Sequence, residues 1–293
     1  MPSAIEPLMS AIAASPFRVA PEAGRQLASE ITARKITLEF VDKVEVHAEY
    51  IPSRSIVRLG TPFLEVLWSA AHAFIVIFDE YEKANKRGEQ YFHVDGTERT
   101  ARAYMLYREL LQAHISKTTI NWPQPAIKPV RFPVPETDGY CANEIFLTAI
   151  SWVMHHEIAH ARLDHEELTV NSIQQEIDAD RAATEWLCIG VPEPGPQFKR
   201  ALGVSCAILH LLAYDLERRR AMSTTHPPTF ERLIENINRM GFPETHKIYA
   251  FAFALLEILL AQCKVQIKID RTASFHDKLV SACLAVRSLG SAC

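Results

Sequence analysis

The chain has 293 residues, 48% of them hydrophobic, which is enough to build a large core and too many for a disordered chain. Its 31 Lys and Arg stand against 35 Asp and Glu for a formal charge of −4, so the basic field that nucleic-acid binding needs is missing. Nucleic acid is not an expected partner.

The first residues, "MPSAIEPLMSAIAASPFRVAPEAG", lack a basic stretch followed by a continuous apolar one, so no secretory signal is read and a cytoplasmic protein is expected. From 35 to 60 apolar and polar positions alternate, and Ile, Val, Phe and Thr are frequent, the pattern of short half-buried strands with a turn at Pro52-Ser53. A helical period then predicts helices over 62–85, 98–116, 142–165, 171–189, 197–220, 227–240, 245–265 and 274–288. The expected fold is mainly α with a small β-sheet, an α+β arrangement in one domain over 1–293. Its β-containing part covers 1–120 and its helical, metal-binding part 140–293.

Two apolar stretches invite a membrane reading. Residues 248–263 are short for a bilayer span and carry Glu257, while 62–81 are interrupted by Glu65 and His72, so buried core helices and no membrane partner are expected. The proline-rich stretch 121–139 forbids helix and reads as a linker or a wrapping segment. Cys141, Cys188, Cys206, Cys263, Cys283 and Cys293 have no paired spacing and no CxxC occurs, so reduced thiols are expected and a cysteine zinc site is not.

The chemistry concentrates in "VMHHEIAHARLDHEEL", 153–168. His156-Glu157-Ile158-Ala159-His160 is an H-E-x-x-H pattern, and on a helix it sets two imidazoles one turn apart on one face, the spacing that suits one zinc. Glu157 then lies beside the ligands as a general base for water. A catalytic zinc takes three protein ligands, so a third is needed. The metzincin arrangement does not supply it, because Leu163 and Glu166 occupy its glycine and histidine positions. The next predicted helix offers Glu176 and Asp180 at i and i+4, both on one face, with Glu176 suited to the metal and Asp180 to a hydrogen bond from a ligand histidine. Taken alone such an acidic pair reads as a solvated face. Further on, His226 precedes two prolines at a helix start, and Arg232 follows on that helix. A rigid His and Arg beside a metal suit an oxyanion.

Together "HEIAH", "EIDAD" and "HPPTFERL" resemble the zinc metallopeptidases of the gluzincin type, in particular the HtpX-like and CAAX prenyl protease group, which has H-E-x-x-H, E-x-x-x-D and an H-P-x-x-x-x-R element in that order. The resemblance covers about 142–240. It implies a zincin-like fold with His156, His160 and Glu176 as zinc ligands, Glu157 as base, Asp180 as orienter, and His226 and Arg232 near the oxyanion. The chain departs from that group, whose members are membrane-embedded. In length, layout and motif order it also looks like the Lit-type phage-exclusion peptidases, a family associated with cleavage of a host translation elongation factor during phage infection.

The resulting expectation is a zinc endopeptidase acting on a protein or peptide substrate, aligned by an edge strand of the 35–60 region over the H-E-x-x-H helix. No activator or inhibitor can be named from the sequence. A second expectation, of another class, is a non-catalytic zincin-fold binding or regulatory protein with a structural metal, its fourth position closed by His155 or His165. Helical geometry turns His155 about 100° from His156 and carries His165 off the ligand face, so both read as ordinary side chains.

Overall fold

A computed structural model describes residues 3–89, 92–165, 172–188, 191, 193–218, 226–265, 267, 270 and 272–290. The chain is mainly helical with one small sheet. Two helices, α1 (Met9–Val19) and α2 (Gly24–Arg34), precede the strands β1 (Thr37–Val41), β2 (Ala48–Ile51) and β3 (Ile56–Gly60). There follow α3 (Thr61–Lys86), α4 (Glu98–Ile115), α5 (Asp138–Arg162), α6 (Ser172–Cys188), α7 (Pro194–Glu217), α8 (Thr229–Arg239), α9 (Lys247–Gln262) and α10 (Phe275–Gly290).

The alternating stretch forms a sheet of order β1-β3-β2, parallel between β1 and β3 and antiparallel between β2 and β3. β2 is therefore an edge strand, and it packs on α5 more extensively than β3 does. The turn before β3 is a single 3-10 turn at Pro52–Arg54, ended by Ser55 at φ 51°. The sequence pattern predicts no helix before residue 35. α1 carries a proline and no side-chain cap, which hides it from pattern reading, and it forms because Ile12, Ser15 and Pro16 are buried as it packs on α5.

α5 is the centre of the molecule, touching α1, α3, α6, α7 and the sheet. It is apolar on nearly every side, as a helix enclosed by others must be. Its start is set by Thr137, whose hydroxyl accepts the amide of Tyr140, and by Arg99 of α4, which grips Asp138. Against α7 the approach is so close that a Cβ on Gly203 would press into Thr148 and the backbone of Ala149. Only glycine permits that distance.

α3 has the length and composition of a membrane span, with a mean hydropathy of 1.6, yet 89% of that window is buried inside the protein. Glu65, read as an interruption, is buried and accepts from Ser3 Oγ and the Ala4 amide, and His72 stacks on Trp68. The proline-rich stretch wraps rather than links. Asn143 of α5 donates to Val130 O and accepts from Trp68 Nε1, and a continuous hydrophobic cluster runs from Ile5 to Val286. The predicted 171–189 and 197–220 helices reach residues outside those described at 171, 189, 219 and 220.

Candidate active site

α5 and α6 pack antiparallel, and the contacts step along both helices one turn at a time. Trp152 Nε1 donates to Thr184 Oγ1 at 2.9 Å, His156 Nδ1 lies 2.8 Å from Asp180 Oδ1, and His160 Nε2 lies 3.5 Å from Glu176 Oε1. A spacing of four on each helix is what turns two separate sequence motifs into one site.

At the outer end of this ladder the three predicted ligands meet. His156 Nε2 is 3.2 Å from His160 Nε2 and 3.1 Å from Glu176 Oε2, and one donor atom from each of the three side chains lies within 4.8 Å of the others. Two neutral-capable imidazoles and one carboxylate are the donor set of a zinc site with a remaining open position, so these residues fit that metal. His156 and Glu157 are buried, while His160 and Glu176 are partly open.

The electrostatics agree with a site built around a positive charge. Burial alone would lower the His156 pKa, but the carboxylates of Asp180 and Glu176 outweigh it and raise it to about 10. Glu176, which burial would raise, is held down at about 2, chiefly by His156. Asp180 is likewise depressed, with Arg232 and His156 overcoming its burial. His160 is pushed down to about 3 by burial and by the charge of His156, which leaves it a neutral imidazole. Burial drives Glu157 up to about 7, offset in part by His156 and by the Tyr50 amide of β2, which is directed at its carboxylate. Glu157 is therefore poised near neutrality, where a proton-transfer group works best.

His226, set by Pro227-Pro228 at the head of α8, places Nε2 3.5 Å from Glu176 Oε2 with its side chain 50% exposed, on the open side of the cluster. Arg232 meets Asp180. Its Nε and Nη2 each lie 2.7 Å from an oxygen of Asp180, and the side chain is buried behind His156. Nε and Nη2 are both engaged by the carboxylate that lies beside His156 Nδ1, because α8 runs alongside α6 and Asn236 meets Thr184 one turn further on.

The two extra histidines part ways. His155 stacks on Trp186 at 5.5 Å and faces the Pro16 carbonyl of α1, away from the cluster. A helix continued to His165 would carry that side chain off the ligand face. α5 ends at Arg162, so helical angles no longer apply, and His165 turns back to put Nδ1 3.0 Å from Nδ1 of His160. The only available signal was the loss of apolar period after Ala161, which marks a helix end without saying where the next side chain points.

The family model described as Peptidase U49 matches residues 57–252, a span that holds all of β3 but its first residue, all of α3, and every one of these site residues except Tyr50. The chain is 30% identical to the cell death peptidase of Escherichia coli strain K12 over 276 residues, covering 92% of this chain and 93% of the relative. No solved structure matches it.

Proposed function

Because the chain belongs to the Peptidase U49 family, we propose that it is a zinc-dependent endopeptidase of the gluzincin type, with zincin-like packing of α5 on α6, hydrolysing peptide bonds of a protein substrate in the cytoplasm. The observation that carries the proposal is the meeting of His156, His160 and Glu176 within 4.8 Å, with Glu157 buried next to them. When bound there, zinc supplies a Lewis acid that polarises a carbonyl and makes water a better nucleophile at neutral pH.

The rest is the work of the chain's own side chains. Glu157 takes a proton from the attacking water at its carboxylate and returns it to the nitrogen of the scissile bond, so that a carboxylic acid and an amine result. His226, on the open side and half-exposed, donates from its ring to the carbonyl oxygen as negative charge develops there. Asp180 holds His156 through Nδ1, and Arg232 holds Asp180. β2, with its free edge beside α5, lines up an extended substrate by backbone pairing. The name of the Escherichia coli relative, together with the layout shared with phage-exclusion peptidases, supports a role in phage exclusion or a stress response. Activity against a host's own proteins requires restraint, so narrow specificity or a trigger belongs to this reading.

The test compares new protein N-termini across the proteome of host cells expressing the wild-type chain or Glu157→Gln, with and without phage infection. Termini that depend on Glu157 support the endopeptidase and identify the substrate. Identical termini in all conditions, with zinc present in both proteins, would sink it in favour of a binding protein with a structural metal.

A further inference from the structure

The last turn of α5 ends in a defined way. The Leu163 amide bonds to Ala159 O, Asp164 adopts the left-handed conformation at φ 52°, and the His165 amide returns 3.0 Å to His160 O. This is a Schellman ending, in which the second residue past the helix meets the residue five before it. In most such endings the two side chains make an apolar contact. Here they are imidazoles, His165 and His160, joined Nδ1 to Nδ1 at 3.0 Å.

We propose that His165 is a positioning residue for His160: it accepts the Nδ1 proton of that ring and so keeps the Nε2 lone pair directed at the cluster with His156 and Glu176. The inference rests on the metal site proposed above. An imidazole that ligates through Nε2 must carry its proton on Nδ1, and that proton needs an acceptor. For His156 the acceptor is Asp180, 2.8 Å from Nδ1. For His160 it is His165, which then carries its own proton on Nε2.

The turn that delivers His165 is itself held from α2. Arg34 Nη1 lies 2.6 Å from Asp164 Oδ1 and Nη2 donates to Arg162 O at 3.0 Å, while Arg162 pairs with Glu30 and lies over Trp186. A helix that contributes nothing to the site thereby fixes the conformation of a ligand.

The experiment uses the full chain as wild type, His165→Ala, His165→Asn and Arg34→Ala. Zinc affinity is read by competition with chelators of graded strength, and the visible spectrum of the cobalt(II) form reports ligand geometry. His165→Ala is expected to weaken zinc roughly 10- to 100-fold and to alter the cobalt spectrum, as removal of such partners does elsewhere. His165→Asn, whose Oδ1 remains an acceptor, restores most of the affinity, and Arg34→Ala gives a smaller loss of the same sign. Wild-type affinity in His165→Ala overturns the proposal, as does an Asn variant as weak as the Ala one. A wild-type chain that binds no zinc overturns both this inference and the metal reading beneath it, whereas a His165 result alone leaves that reading in place.

Discussion

Arg232 grips Asp180 through two parallel hydrogen bonds of 2.7 Å each, in a place where both side chains are almost completely buried. Asp180 in turn carries His156, so a guanidinium on α8 sets the orientation of an imidazole on α5 through a carboxylate on α6. Removing one member of a buried, bidentate pair leaves an uncompensated charge inside the protein. Arg232→Ala should therefore lower stability by about 3–5 kcal/mol in chemical denaturation. Arg232→Lys keeps the charge but loses the fork, and metal affinity should fall roughly 10-fold or more while the protein still folds. An Arg232→Lys protein with wild-type metal binding would show that the fork orients nothing.

Glu157→Gln removes the proton acceptor without changing the size of the side chain. Turnover should fall by about 10²- to 10⁴-fold, the range for loss of general acid–base help, with one zinc still bound per chain in elemental analysis. Loss of the metal in that variant would make Glu157 a structural part of the site.

Glu176→Ala and His160→Ala each remove one of the three donors that lie together. Both should abolish zinc binding at micromolar zinc and remove the rise in thermal midpoint that zinc gives the wild type, since a ligand that binds only the folded state stabilises it by about 2.7 kcal/mol at a hundredfold excess over Kd. Differential scanning calorimetry with and without a chelator measures this directly. A wild-type midpoint that zinc leaves unmoved would argue against the site.

Several imidazoles far from the site are buried and neutral. Burial pushes His47 down to about 3 and His72 and His114 to about 4. Their folded-state pKa values lie below the ordinary 6.5, so the unfolded chain binds more protons in that window. Stability is then fully present above pH 6.5 and falls as the pH drops toward 4 and 3, by up to about 1.4 kcal/mol per pH unit for each such group. Urea midpoints measured between pH 7.5 and 4.5 should fall steeply, and His114→Phe should flatten the slope. A midpoint insensitive to pH over that range contradicts the buried, neutral assignment.

Gly203→Ala tests the close contact of α7 with α5. The added methyl meets Thr148 and the Ala149 backbone, so a loss of about 1–3 kcal/mol is expected in spite of alanine's better helix propensity. A stabilised variant would mean that the two helices separate easily.

Much of this was readable in one dimension because it depends on local spacing. H-E-x-x-H and E-x-x-x-D each carry their own geometry, four residues to about one turn, and the apolar runs of α3, α5, α7 and α9 declare themselves by composition. α1 and α2 did not, since a proline inside α1 and the absence of a side-chain cap at either start leave short helices of this kind to be decided by what they pack on. The pairing of Arg232 with Asp180 is not legible in the sequence, because the direction of a long side chain depends on which carboxylate the neighbouring helix offers it.

The sequence by itself determined a mainly helical chain with a small sheet, the two helices that bear the histidines and carboxylates, and the chemical types from which a metal site is built. Only the tertiary structure decided the register of α5 on α6 that brings His156 to Asp180 and His160 to Glu176, the pairing of Arg232 with Asp180, and the return of His165 onto His160. The reason is physical: periodicity states which residues share a face, whereas register between helices and the path of a chain beyond its last helical turn are set by contacts among residues distant in sequence, such as Arg34 on Asp164.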